Sequence, residues 1–436
     1  MSAVAMPGRD NLRRIGKYPV IRKLGEGATS HVYLCHDPFY ARDVAIKLVF
    51  SEIFRDRERG KAYRKLFVTE ASLAGKLQHP HICQIYDAVA DEDLHYIVME
   101  YVPGGTLEQF CQPDKLLPVE KVIEIAFKCS RALEFAHRQG ITHRDIKPAN
   151  ILRAGDTEVK ISDFGAALVS SGDTTQVSAV GSPAYMSPQQ IKEQQLDHRT
   201  DIYSMGVVMY HLLSGRLPFQ GGNNFSLIYQ ITHVAPPPPS AHRAEVPAAV
   251  DAIVRRAMAK DLGERYASWE EFSNDLAEAL RGEALGAPER GLFADSDKFE
   301  SMRKLPFFEN FSDAELWEVA GISSWRSAAI GEVLMREGEP GTYFCILAEG
   351  QVKVSKKGRL LNILNPGEPF GEMAYLARGA HERGADVSTL TDAKIITIPT
   401  ERLAQASDSC RQKFDRAFVE ILIERLSMAN VRLSGV

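Results

Sequence analysis

Two short polar motifs constrain this chain more strongly than any other feature: HRDIKPAN at residues 143–150 and DFG at residues 163–165. The first places a carboxylate (Asp145), an ammonium (Lys147) and an amide (Asn150) close together, and the second adds another carboxylate. Phosphoryl transfer requires little covalent chemistry from a protein and depends on positioning and charge neutralisation. The residue types and their spacing therefore suit phosphoryl transfer to a hydroxyl group.

The order and spacing of these residues resemble the catalytic loop and the metal-binding motif of eukaryotic-type (Hanks-type) bacterial serine/threonine protein kinases. The resemblance implies that Asp145 accepts the proton of the substrate hydroxyl and that Lys147 contacts the transferring phosphate. It also implies that Asn150 and Asp163 hold Mg²⁺, with Mn²⁺ as an alternative. The position of Lys147, two residues after the catalytic aspartate, indicates the serine/threonine branch of the family.

The composition is that of a soluble globular protein. The chain has 436 residues, 44% of them hydrophobic and 25% charged, so length alone predicts two or three domains. A net charge of −5 provides no global attraction to nucleic acid or to an acidic membrane surface. Six scattered cysteines without a C-x-x-C pair predict buried thiols in a reducing compartment. Since we find neither a signal sequence nor an apolar run that could cross a bilayer, we expect a cytoplasmic protein.

A glycine-containing turn lies near the start of the chain, at residues 25–27. Apolar and β-branched residues flank Gly25-Glu26-Gly27, which predicts two strands joined by a turn whose backbone N–H groups can approach phosphates. Ser30 stands where the family has a third glycine, and Val32 where the family packs an apolar side chain on the adenine. We therefore expect a phosphate-covering loop that is stiffer than usual.

The segment Val44–Lys47 predicts a third strand, and the resemblance implies that Lys47 binds the α- and β-phosphates of ATP. Its expected partner is a glutamate on the following segment, which has helical spacing. Glu70 is our prediction for that partner, with Glu92 and Glu100 as alternatives.

Residues 94–107 alternate like a strand and end at a Pro-Gly-Gly turn. By resemblance this is the hinge between two lobes, with Met99 as the gatekeeper and Glu100 to Val102 offering backbone groups to the adenine. The residues expected to bind ATP are Leu24, Gly25, Glu26, Gly27, Val32, Ala45, Lys47, Met99, Glu100, Val102 and Leu152.

Residues 163–189 are rich in Ser, Thr and Gly, which indicates a mobile loop. The resemblance identifies it as an activation segment in which a phosphate pairs with Arg144. Ser178 is the expected phosphorylation site, with Thr174 and Thr175 as alternatives.

Three further positions follow from the resemblance. Ser182 takes the place of a threonine that bonds to the catalytic Asp and Lys. Gln189 replaces the glutamate of the family's Ala-Pro-Glu motif, whose expected partner is Arg265, so we expect a hydrogen bond without its charge-assisted component. Asp201 begins a buried helical pattern that Gly215 ends, and it is expected to cap the backbone of the catalytic loop.

The composition and the periodicity of the sequence change after the helical pattern that ends at Arg281. Residues 283–302 are rich in Gly, Ala and charge without clear periodicity, which indicates a linker. From Val333 to about Pro399, short alternating runs are broken by glycines, which predicts a small antiparallel barrel or jelly roll. A helical pattern from Arg402 to about Arg432 follows it.

Within that barrel, NPGEPFGEMAYLARGAHERGAD resembles the phosphate-binding cassette of cyclic-nucleotide-binding domains. Glu372 suits the ribose 2′-hydroxyl as an acceptor, and the guanidinium of Arg383 suits the cyclic phosphate. The alternative is that these two side chains pair with each other on a turn. The residues expected to bind the nucleotide are Gly371, Glu372, Met373, Arg383, Gly384 and Ala385.

This cassette departs from the family pattern in two ways. It is about two residues longer than usual between Glu372 and Arg383, and Asp386 stands where the family has Thr or Ser near the phosphate. A carboxylate there repels a phosphate unless it faces away or is paired. The cassette also lacks the Thr beside the arginine that is associated with cyclic GMP, which favours cyclic AMP.

Together these features predict an α+β protein with a bilobal kinase fold and a small β-barrel or jelly-roll domain with flanking helices. The expected boundaries are a flexible tail at 1–17, a kinase domain at 18–282, a linker at 283–302 and a cyclic-nucleotide-binding-like domain at 303–436. A scaffold without catalysis is disfavoured because Lys47, Glu70, Asp145, Asp163 and Asn150 are all present.

The expected partners are ATP, protein substrates and a cyclic nucleotide effector, with no nucleic acid and no membrane. Three readings of the C-terminal domain stay open: it binds cyclic nucleotide and regulates the kinase, it is a ligand-free docking or homodimerisation module, or it senses another small anion.

Overall fold

The computed structural model describes residues 12–27, 30–50, 60–73, 75–90, 94–166, 168–169, 183–281, 295–377 and 382–434. The chain divides into two compact units, Met1–Leu285 and Gly286–Val436. Within the described ranges, no helix is both long enough and apolar enough to cross a membrane.

An antiparallel sheet of six strands, in the order β1-β2-β3-β4-β6-β5, forms the N-terminal lobe of the first unit. Its strands β1 to β6 are Arg14–Ile15, Tyr18–Glu26, Ser30–Asp37, Arg42–Val49, Ile85–Ala90 and His95–Glu100. Alternate β-branched residues such as Val44, Ile46 and Val98 are fully buried in its core, as a half-buried sheet requires. Helix α1 (Gly60–Ser72) contributes Phe67, which packs against Ile97 of the sheet.

A mainly helical lobe completes the first unit. Its helices α2 to α7 are Val119–Arg138, Pro188–Ile191, Arg199–Ser214, Asn224–His233, Ala248–Ala257 and Trp269–Arg281. Short strands β7 to β10, which pair as β7 with β10 and β8 with β9, are Ile141–Thr142, Ile151–Arg153, Val159–Ile161 and Leu168–Val169. Helix α4 is buried along nearly its whole length and ends at Gly215, whose φ of +67° and close contact with the backbone of Pro113 both require glycine.

The second unit contains two antiparallel sheets of four strands each, in the orders β11-β18-β13-β16 and β12-β17-β14-β15. The strands β11 to β18 are Ser324–Ala328, Val333–Met335, Tyr343–Glu349, Val352–Lys356, Arg359–Leu364, Pro369–Phe370, Asp386–Thr389 and Ala393–Pro399. Helices α8 to α12 are Asp295–Arg303, Asp313–Ile322, Met373–Leu376, Thr400–Ala404 and Asp408–Ser434. The predicted fold class, a kinase fold followed by a small β domain with flanking helices, is confirmed.

Three expectations need correction. Strand β1 lies inside the segment 1–17 predicted to be a flexible tail, because Ile15 is buried in the sheet core. Helix α8 overlaps the predicted linker 283–302, and its Phe299 stacks on Trp317 with ring centroids 4.7 Å apart. The helical pattern predicted from Arg402 forms two helices, α11 and α12, rather than one.

Candidate active site and candidate ligand cavity

Lys47 lies at the centre of a charged cluster in the first unit. Strand β4 presents its ammonium to Glu70 of helix α1, with Nζ–Oε1 and Nζ–Oε2 distances of 3.1 Å and 3.0 Å. The same ammonium also donates to Oδ1 of Asp163. A Cβ atom at position 165 would lie 2.9 Å from Oε2 of Glu70, so the glycine after Asp163-Phe164 makes room for this ion pair. Glu70 is therefore the partner of Lys47, and the alternative Glu92 lies outside the described residues.

The pairing keeps Lys47 and Asp163 charged. Burial alone would lower the pKa of Lys47, but Asp163 and Glu70 outweigh it, so the pKa of this amine lies above its ordinary value. Burial would likewise raise the pKa of Asp163, but the neighbouring ammonium of Lys47 outweighs it and the pKa of Asp163 is lowered. Both groups therefore carry their charge at neutral pH.

The catalytic loop brings Asp145, Lys147 and Asn150 together. Oδ2 of Asp145 accepts hydrogen bonds from Lys147 Nζ at 2.7 Å and from Asn150 Nδ2 at 3.0 Å. Asn150 Nδ2 also donates to the backbone carbonyl of Asp145 at 2.8 Å, which fixes the loop around this carboxylate. The three predicted side chains thus form one hydrogen-bonded group.

Asp201 of helix α4 holds this loop from the other side. Its buried carboxylate accepts the backbone N–H groups of His143 and Arg144, both at 2.7 Å. Arg144 has a left-handed backbone conformation, with a φ of +70°, which costs energy in a non-glycine residue. The two hydrogen bonds offset this strain, and the predicted capping role of Asp201 agrees with the geometry.

Asn150 and Asp163 fit a divalent metal such as Mg²⁺. Mg²⁺ prefers oxygen ligands. The amide nitrogen of Asn150 is committed to Asp145, which leaves its side-chain carbonyl oxygen as the available donor atom. Asp163 uses Oδ1 for Lys47 and retains Oδ2. These two side chains would hold the metal.

The residues expected around the adenine come from neighbouring strands. Ala45 pairs with Met99 across β4 and β6, and Val32 pairs with Lys47 across β3 and β4. The side chain of Glu100 pairs with Lys160 at 3.1 Å and its backbone N–H donates to the carbonyl of Gln84 at 2.8 Å, so the backbone carbonyl of Glu100 is left for a nucleotide. The other positions of the predicted ATP site are Leu24, Gly25, Gly27, Val102 and Leu152, together with Glu26, whose side chain pairs with Lys23.

The activation segment has its anchor at Gln189. Arg265, only 2% exposed, donates to Oε1 of Gln189 at 3.1 Å, and Gln189 Nε2 donates to the carbonyl of Lys260 at 3.1 Å. The expected amide hydrogen bond is present. Burial lowers the pKa of Arg265 to about 10, because an amide supplies no opposing charge. The predicted positions Ser178, Thr174, Thr175 and Ser182 lie outside the described residues.

Restoring a carboxylate at this anchor is expected to stabilise the kinase lobe. In Gln189→Glu the buried guanidinium gains a charge-assisted hydrogen bond, whereas the hydrogen bond from Nε2 to the carbonyl of Lys260 is lost; we expect a net gain of about 1 kcal/mol. We expect the calorimetric melting temperature of the kinase transition to rise by roughly 2–4 °C. The control Gln112→Glu changes an exposed residue and should leave this transition in place; a Gln189→Glu melting temperature no higher than that control would contradict the prediction.

The second unit contains a cavity of about 250 Å³ whose wall includes Arg383. Arg383 is only 6% exposed, and it donates to the backbone carbonyls of Gly371 at 3.1 Å and Tyr343 at 2.7 Å. Gly371 has a φ of +73°, and a Cβ atom there would lie 2.6 Å from Nη1 of Arg383. The other predicted nucleotide-binding residues, Glu372, Met373, Gly384 and Ala385, line the same cavity.

Glu372 pairs with an arginine that sequence reasoning missed. Nη1 of Arg425 on helix α12 donates to Oε1 of Glu372 at 2.7 Å, and Nη2 donates to the carbonyl of Pro369 at 2.6 Å. The alternative in which Glu372 pairs with Arg383 is therefore wrong. No signal in the cassette could indicate Arg425, because it lies 53 residues further along the chain.

The position of Asp386 in the cassette suggested that its carboxylate would repel a bound phosphate, but this carboxylate is hydrogen-bonded within the protein. Its Oδ1 accepts the backbone N–H of Glu337 at 2.8 Å, so the carboxylate is paired within the protein. This is the condition under which an acidic residue at that position is compatible with a bound phosphate.

Comparison with known proteins agrees with this geometry. Residues 18–275 match the model of the protein kinase domain, and residues 325–410 match that of the cyclic nucleotide-binding domain. Similar proteins include a probable serine/threonine-protein kinase of Streptomyces coelicolor, 39% identical over 284 residues that cover 63% of this chain and 42% of that protein. PknB of Mycolicibacterium smegmatis is 36% identical over 330 residues (73% and 52%), and PrkC of Bacillus subtilis 35% over 310 residues (70% and 46%).

This chain spans about half the length of the curated relatives that it matches. All three relatives are named as serine/threonine-protein kinases, which confirms the resemblance inferred from the two polar motifs. Because the kinase-domain match covers more than half of its residues, the chain belongs to the protein kinase family, with a cyclic nucleotide-binding domain following the kinase domain.

Proposed function

We propose that this chain is a protein kinase that transfers the γ-phosphate of ATP to serine and threonine hydroxyls of proteins. The observation that carries the proposal is the position of Lys47, whose ammonium bridges Glu70 and Asp163. In the family, the ion pair between this lysine and this glutamate must be in place for catalysis, together with a magnesium ion on the aspartate that corresponds to Asp163. The names of the relatives, serine/threonine-protein kinases, support the choice of hydroxyl acceptor.

Each of these side chains has a separate role in the reaction. Lys47 binds the phosphates of ATP, and Asp145 orients the substrate hydroxyl and accepts its proton. Lys147, already 2.7 Å from Asp145, stabilises the charge on the transferring phosphoryl group. A divalent metal held by Asn150 and Asp163 would neutralise the phosphate charge when bound. We also propose a cytoplasmic location, since all six cysteines are buried free thiols, as in reducing compartments.

For the second unit we propose that the cavity binds a cyclic nucleotide, with cyclic AMP as the ligand. The supporting observation is the buried guanidinium of Arg383, which lines the cavity and has more donors than its two carbonyl contacts use. Gly384 and Ala385 follow it in the cavity wall, where their N–H groups suit a phosphate.

Ligand binding in this cavity would affect helix α12. The carboxylate that suits the ribose 2′-hydroxyl belongs to Glu372, which in this structure accepts from Arg425 of α12. A ribose hydroxyl that takes the place of Arg425 at Oε1 of Glu372 would change the attachment of the helix. A ligand can regulate the kinase only if it binds two states of the chain with different affinities, and this exchange supplies such a difference.

The test is phosphorylation of the chain itself and of a generic protein substrate by the full chain, with Mg-ATP, over a series of cyclic AMP concentrations. We expect phosphate on serine and threonine, at a rate that changes in a saturable way with cyclic AMP. A rate indifferent to cyclic AMP would support the kinase and contradict the regulatory proposal, leaving the C-terminal domain as a docking or homodimerisation module or a sensor of another anion. No incorporation at any concentration would contradict the kinase proposal.

A further inference from the structure

Asn362 is a polar residue at a position where the fold favours an apolar one. It lies on strand β15, two residues before Leu364, so the two side chains share one face of the sheet. Leu364 is buried in the core of the unit, whereas Asn362 lines the cavity that contains Arg383. The same inner face therefore changes from core to cavity wall between these two residues.

The amide of Asn362 has hydrogen-bonding capacity to spare. Within the described part of the chain, no hydrogen bond joins its side chain to another residue. Asn362 is half-buried in the cavity wall, so its amide can donate to and accept from a bound ligand. A departure from binary patterning at such a position is expected where the residue serves a ligand.

The register of the sheet sets the distance between Asn362 and the phosphate-binding end of the cavity. Asn362 pairs with Val354 of β14, and Val354 pairs with Val387 of β17. These three residues form a row across three strands, so Asn362 lies two strand spacings, or roughly 9.5 Å, from β17. Arg383, Gly384 and Ala385 immediately precede β17. A ligand with an anion at one end and a flat heterocycle at the other would follow this row.

The wall along this row suits a purine. Met335, Val354, Leu364 and Val387 provide apolar surface in the cavity, and Asn362 adds an uncharged donor and acceptor. A carboxamide can pair with adenine through both groups, because adenine offers a donor at N6 next to an acceptor at N7. Guanine offers two acceptors, O6 and N7, on that edge, and these suit an arginine instead.

We propose that Asn362 reads the base of the bound nucleotide and selects adenine over guanine. The inference rests on the proposed nucleotide site and adds to it the residue that decides the base. Arg383 anchors the phosphate of either nucleotide equally, so discrimination comes from the other end of the cavity.

The experiment is calorimetric titration of the full chain with cyclic AMP and with cyclic GMP. We expect the wild-type chain to bind cyclic AMP roughly ten-fold or more tightly than cyclic GMP. Asn362→Leu should bring the two affinities to within about three-fold, and Asn362→Arg should reverse the preference. The matched control Lys353→Gln changes an exposed residue on the neighbouring strand and should keep the wild-type ratio.

Failure of the proposed nucleotide site and failure of the proposed role of Asn362 give different results. A wild-type chain that binds neither nucleotide contradicts the proposed site itself. A wild-type chain that binds them, with an Asn362→Leu ratio equal to that of the wild type, overturns the role of Asn362 alone. Thermal melting of each variant identifies a folding defect, and Asn362→Leu decides the matter if Asn362→Arg does not fold.

Discussion

Asp145→Asn is expected to lower the rate of phosphoryl transfer by about 10²- to 10⁴-fold, the contribution typical of a general base. The amide has nearly the shape of the carboxylate but cannot accept the proton of the substrate hydroxyl. It also loses the charge that attracts Lys147, which now lies 2.7 Å away. The measurement is the incorporation of phosphate into a generic protein substrate by the full chain.

ATP binding is expected to survive this substitution, because Lys47, Glu70 and Asp163 do not depend on Asp145. Binding of a fluorescent ATP analogue therefore separates a catalytic defect from a folding defect. Asp156→Asn is the matched control: it removes a carboxylate that is paired with Lys121 on the surface, and it should retain full activity. Undiminished phosphate incorporation by Asp145→Asn would refute the assignment of the catalytic base.

The second large effect is expected from Arg383→Ala in the C-terminal unit. Removing the buried partner of a charged group costs about 2–5 kcal/mol, so we expect the affinity for cyclic AMP to fall by at least 30-fold. The measurement is calorimetric titration of the full-length variant with cyclic AMP. Any response of the kinase activity to cyclic AMP should disappear with binding.

Arg383 also supports the wall of its own cavity through Gly371 and Tyr343. Arg383→Lys addresses this complication, because lysine keeps the charge but loses the planar fork, and its affinity should lie between those of wild type and alanine. Arg359→Ala removes an exposed cation from strand β15, and we expect it to bind like the wild type. Wild-type affinity in a folded Arg383→Ala variant would exclude Arg383 as the phosphate anchor.

The two halves of the molecule differ in how far the sequence predicted their sites. In the kinase lobe, Asp145, Lys147 and Asn150 lie within one short loop, and their contacts are compatible with the roles that the family resemblance implies. Glu70 was also predicted, since it lies where the family resemblance places the glutamate partner of Lys47. In the C-terminal unit the cassette indicated Arg383 and Glu372 as ligand-binding residues, and the sequence did not indicate that Arg425 pairs with Glu372.

Local sequence determined the motifs, the class of fold and the order of the domains, because catalytic loops, glycine turns and alternating strands depend on neighbours in the chain. Tertiary structure alone decided that Arg425 pairs with Glu372, that Asn362 faces the cavity and that helix α8 belongs to the second unit. Each of these depends on which distant segments pack together, since the burial of α8 and the register of β15 are set by surfaces that the local sequence does not contain. Packing, rather than local propensity, therefore determined the parts of the site that the sequence could not show.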